Sequence, residues 1–136
     1  MLMKSWRLVL LVAVLAGCAP MSAQGIRESG QKQSFTVSAN YQAVYRTLTD
    51  EMRRCMQTGM ITATVIIQAD LFTDIRKGVI TPTMHGGLGA TPLFVVDVVG
   101  LEGDSSRIDV MTRGDGTNDT KALRGVFNGT PLCARG

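Results

Sequence analysis

From Tyr41 onward, the apolar residues Tyr41, Val44, Tyr45, Leu48, Met52, Cys55 and Met56 recur at the spacing that lays one stripe along an amphipathic helix. Ser38 and Asn40 precede this run with side-chain oxygens able to cap a first turn, and Gly59 follows it, so a helix is predicted over residues 41–57. Its other side carries Gln42, Arg46, Thr49, Asp50, Arg53 and Arg54, a solvated face on which Asp50 can pair with Arg46 and Arg54. Ahead of the helix, residues 34–38 alternate polar and apolar, the pattern of a short strand that buries Phe35 and Val37.

Beyond Gly59 the periodicity changes. Residues 61–69 form a β-branched run that reads as a strand, and residues 71–81 hold a second β-prone segment interrupted at Lys77 and Gly78. Residues 83–92 read as a glycine-rich loop. Residues 93–101 read as a strand apolar on both faces, including Val96 and Val98, which places it centrally. Turn chemistry at 102–106 leads into residues 107–113, where Arg107, Asp109, Met111 and Arg113 alternate with Ile108, Val110 and Thr112, the second arm of a hairpin with one wet face. Thr117 or Asn118 can then cap a short helix carrying Ala122, Leu123, Val126 and Phe127, closed by Asn128 and Gly129. The predicted class is α+β, ordered β-α-β-β-β-β-α. It is an antiparallel sheet of about four to five strands, with one long amphipathic helix on one face and a short C-terminal helix.

The length of 136 residues limits the chain to about one small domain. Its net charge of +3 includes Lys4 and Arg7, which precede a short apolar run over residues 8–15. That run is too short to span a bilayer, and the combination has the anatomy of a removable signal. Without residues 1–17, 12 basic side chains face 11 acidic ones, which leaves no electrostatic footprint for nucleic acid.

The signal ends in Leu15, Ala16, Gly17 and Cys18, which resembles the lipobox of bacterial lipoproteins. The resemblance implies removal of residues 1–17 and acylation of Cys18, so that covalent lipid ties the chain to a membrane. Ala rather than Asp follows Cys18; by the same resemblance this implies an outer-membrane lipoprotein facing the periplasm. Residues 18–32 then read as lipid anchor and flexible tether, small and polar, with a reach of about 20 Å, and residues 33–136 as one α+β domain. Within that domain, the strand and helix from Ser34 to Cys55 are similar to the opening of helix-grip domains found in periplasmic lipoproteins.

With Cys18 acylated, Cys55 and Cys133 remain, and an even remainder in an oxidising compartment predicts one disulfide. His85 is the one histidine. Its His-Gly-Gly setting is similar to an esterase oxyanion loop, but there is no Gly-x-Ser-x-Gly and no second histidine. The Gly87–Gly89 region lacks the lysine of a phosphate loop, and residues 113–119 lack the bidentate glutamate of an EF-hand. No catalytic residues, metal ligands or cofactor are therefore expected. The expected function is a non-enzymatic binding or scaffolding module of the cell envelope with a protein partner. The alternative is a lipid or small-ligand carrier with a cavity between helix and sheet.

Overall fold

A computed structural model describes residues 22–59 and 61–134. Among these, the chain passes through α1 (Ala23–Ser29), β1 (Gln31–Val37), α2 (Tyr41–Met56), β2 (Ala63–Phe72), β3 (Lys77–Gly86), β4 (Gly89–Pro92), β5 (Val95–Gly100), β6 (Ser106–Thr112), α3 (Thr117–Val126) and a 3-10 turn at Leu132–Ala134. The sheet has six strands, every pair antiparallel, in the order β1-β6-β5-β3-β2, with β4 also paired to β3. The fold is thus α+β, with a strand and a helix more than the hydrophobic pattern predicts.

The amphipathic helix forms where its stripe places it. Asn40, rather than Ser38, caps it by accepting from the Gln42 amide at 2.9 Å. Tyr41, Val44, Leu48 and Met52 are buried against Phe35, Ile67, Ile80, Val96, Val98, Ile108 and Val110 from five strands. Gly78 lets the helix come this close, because a Cβ there would stand 2.4 Å from the ring of Tyr45. On the wet face, Arg54 pairs with Glu51 and not with Asp50. β5 is central, as its apolar run requires.

Three expectations are corrected. The flexible tether assigned to residues 18–32 holds instead helix α1 and the first residues of β1. Ser22 caps α1 by accepting from the Gly25 amide, and Ile26, 2% exposed, packs on Val95 and Met111 across the sheet face opposite α2. One well-placed isoleucine makes no periodicity, so tertiary packing decides this helix rather than its own sequence pattern. The break read at Lys77 and Gly78 is the start of β3; β2 runs on to Phe72, and the turn is residues 73–76, with Arg76 at φ 51°. The glycine-rich loop over 83–92 is a hairpin. Gly86 pairs with Gly89 around a two-residue turn, with Gly89 at φ 104°, a conformation glycine adopts without a Cβ clash. β4 and β5 then lie end to end along β3, parted at Leu93 and Phe94, and Phe94 turns into the core at 7% exposed.

The C-terminal segment is fastened to α2 twice. Cys55 and Cys133 form the predicted disulfide, with Cα atoms 5.0 Å apart, and the Leu132 amide donates to Glu51 Oε1 at 2.8 Å. The bond closes a loop of 78 residues, which the chain-entropy account equates with about 4.5 kcal/mol of stability. Reduction is therefore expected to lower the melting temperature by about 20 °C. Thiol titration of the unfolded, unreduced protein should detect neither Cys55 nor Cys133; two reactive thiols from this pair would contradict the bridge.

Candidate functional site

The face of the sheet opposite α2 carries the charged positions of the strands, and its carboxylates are arranged in one row. Strand register sets Ser34, Asp109, Asp97, Val79 and Asp70 side by side across β1, β6, β5, β3 and β2. Two carboxylates directly opposite each other, Asp97 and Asp109, would repel. Each is neutralised separately. Arg27 of α1 grips both oxygens of Asp97, with Nη2 to Oδ1 at 2.7 Å, and Lys77 Nζ stands 3.1 Å from Oδ2. Asp109 accepts from Ser34 Oγ at 2.7 Å and from Arg107 Nε at 3.0 Å. The bond to Asp97 raises the Arg27 guanidinium above its ordinary value, against the effect of its partial burial. Burial would push the Asp109 carboxyl up, but the bonds from Ser34 and Arg107 and the charges of Arg107 and Lys32 outweigh it and hold the carboxyl below the usual range.

α1 covers only the β5 and β6 part of this face. Beside it lies a groove of about 490 Å³, a volume in the range of small-molecule sites. Its floor is Gln68 and Asp70 of β2 with Val79, Thr81 and Thr83 of β3; Ala90 and Pro92 of β4 form one wall, and Ser22 and Ala23 the other. The Thr83 hydroxyl donates to Gln68 Oε1 and to the Thr81 carbonyl, both at 3.3 Å. The groove can hydrogen-bond a polar ligand or backbone and carries a single carboxylate, Asp70. His85 lies further along the same face of β3, half-buried in a strand rather than exposed on a loop, with its Nε2 buried and unpartnered. It is not brought to Asp70: their positions on the paired strands differ by six residues, about 20 Å.

A second cavity, of about 140 Å³, lies between the end of α2, α3, the C-terminal turn and Phe94, lined by Cys55, Met56, Phe94, Asp119, Ala122, Leu123 and Leu132. It matches a cavity known to hold benzene, and it is far short of an acyl chain. The residues once candidates for a cation, 113–119, make a turn: Asp115 Oδ1 accepts from the Thr117 amide at 3.0 Å and from its hydroxyl. Gly116, not Thr117 or Asn118, occupies the cap position of α3.

Cys18 lies outside the described residues. Among those described, no group of three or more His, Cys, Asp or Glu could hold a metal ion, and no helix is long and apolar enough to cross a membrane. Two contributors escaped sequence reasoning. Arg27 sits in a stretch without pattern, and Asp97 interrupts a run of valines; a lone acid in a central strand is the signal that a cation must come to meet it. No family model, curated protein or solved structure matches the chain.

Arg27→Ala should cost about 1–3 kcal/mol in chemical denaturation, since Asp97 keeps only Lys77; Arg27→Lys, which cannot grip both oxygens, should recover part of the loss. The folded Asp109 carboxyl titrates below its unfolded value of about 3.9, so its contribution is complete above about pH 5 and is lost as pH falls through the folded value. Ser34→Ala should therefore lower stability at pH 6 and flatten the decline of melting temperature between pH 5 and pH 2.5; parallel acid limbs would remove Asp109 from the account.

Proposed function

We propose that this chain is an exported lipoprotein, held on the periplasmic side of the outer membrane through acylated Cys18, and that it is a non-enzymatic module binding another envelope component in the groove beside α1. The groove carries the reading. Its floor offers the Gln68 amide and the Thr81 and Thr83 hydroxyls, and Ser22, the cap of α1, walls it only four positions after Cys18. Hydrogen-bonding groups on a strand floor suit an extended backbone or a polar side chain better than an apolar tail. The nearby carboxylates support binding rather than chemistry, because Asp97 is spent on ion pairs that join α1 and β3 to the central strand, and Asp109 on an ion pair with Arg107 within β6 and a hydrogen bond from Ser34 of β1. The carrier reading is weakened by the small volume, 140 Å³, of the cavity at the end of α2, which lies against α3 and not between α2 and the strands.

Labelled palmitate should enter the wild-type chain and not Cys18→Ser. A photo-reactive residue at Ala90 should cross-link one envelope protein, and Gln68→Arg, on an exposed floor position, should suppress that adduct while the far-ultraviolet spectrum stays unchanged. Palmitate on the Cys18→Ser chain would overturn the anchor, and adducts indifferent to Gln68→Arg would overturn the groove.

A further inference from the structure

Charge is distributed unevenly over the sheet. Residues 55–69 and 78–96 contain no Asp, Glu, Lys or Arg, and strand pairing brings these two stretches together, Ala63 opposite Gly86 and Gly86 opposite Gly89. The result is a tongue made of the beginning of β2, the end of β3 and β4, which extends past the point where β5 and β6 stop pairing with each other. At its tip Ile61 and Leu88 are wholly exposed, and Ile66 and Met84 are 42% and 40% exposed on its two faces. The other end of the same strands is different in kind. Asp74, Arg76 and Lys77 surround the β2–β3 turn and Glu102 and Asp104 lie in the β5–β6 turn, so the exposed Leu71, Phe72 and Ile75 there are interleaved with charge.

The chain enters the fold beside this tongue. Ser22 and Ala90 line one groove, and Leu88, in the β3–β4 turn, is two residues from Ala90, at most about 7 Å. Cys18 precedes Ser22 by four residues, which span at most about 14 Å when fully extended. With α1 packed on the sheet, position 18 is tethered to within about 14 Å of Ser22, on the groove that Ala90 also lines.

We infer that the uncharged tip of this tongue, led by Leu88 and Ile61 and lying beyond the Arg113 guanidinium that donates to the Pro92 carbonyl at its base, is a membrane-contacting surface that rests in the lipid interface beside the acylated residue. The inference rests on the reading of Cys18 as the lipid anchor. Acylation brings the bilayer to within reach of the tip. The tip then enters the interface with two large aliphatic side chains and no charged side chain to desolvate, carried on a hairpin whose strands are paired up to Gly86 and Gly89. The charged end of the sheet points away from the bilayer, and the groove lies at the membrane surface.

Trp6, the chain's one tryptophan, lies in the segment expected to be removed; in a Trp6→Phe background, Leu88→Trp therefore carries a single indole. The full chain is expressed in acylating cells, its acylation is read by intact mass, and it is reconstituted in phosphatidylethanolamine–phosphatidylglycerol vesicles with or without brominated acyl chains. Leu88→Trp and Ile61→Trp should be blue-shifted and quenched several-fold more strongly than Ile75→Trp at the charged end. Acylated protein in which neither tip position is quenched, or in which Ile75→Trp is quenched equally, overturns the inference and leaves the anchor standing. A chain without acyl groups overturns both.

Discussion

A carboxylate at the centre of the sheet sets the constraint to which the rest of the molecule answers. Asp97 stands among valines in the middle strand, 5% exposed, and an ion buried there without a partner would cost more than a fold of this size can spare. Arg27 and Lys77 meet it from two directions, one from α1 and one from β3. The pair thereby turns a two-layer arrangement of sheet and helix into a three-layer one, with Ile26 as the apolar half of the same contact. Removing the acid while keeping the base, or the reverse, strands a charge; the contact specifies where α1 sits more than it adds stability.

The two faces of the sheet accordingly do different work. The face under α2 is a continuous apolar core and contributes most of the stability. The opposite face is a lattice of threonines and paired charges, covered over half its width by seven residues of helix and open over the rest.

What the sequence made legible follows from how many residues carry each signal. The stripe of α2 involves seven apolar positions, and it predicts the helix to within a residue of its end. The pairing of Cys55 with Cys133 follows from parity and compartment alone. The elements missed depend on few residues or on misleading ones. α1 is held by Ile26 and Arg27 and includes a glycine, so its local pattern resembles a tether. The β3–β4 hairpin is rich in glycine because its turn needs it, and a tight hairpin of that composition reads as a loop. Glu51 looks like one more solvent-facing acid of the helix, yet the Arg54 guanidinium first, and the Leu132 amide after it, hold its carboxyl below the usual range against the effect of burial. Such a role depends on where the C-terminus returns, and nothing near Glu51 announces it.

Strand order has a consequence for how the chain reaches this state. β1 pairs with β6 and with no other strand, so some seventy intervening residues must be in hand before the first strand has a neighbour. α1 likewise waits for Asp97, Val95 and Met111. The β2–β3–β4–β5 meander can zip locally and early, whereas the opening segment is among the last to be seated, and contacts of such long sequence separation slow the search. As the chain is synthesised amino end first, its opening strand is therefore left without a partner until residues 106–112 have been made.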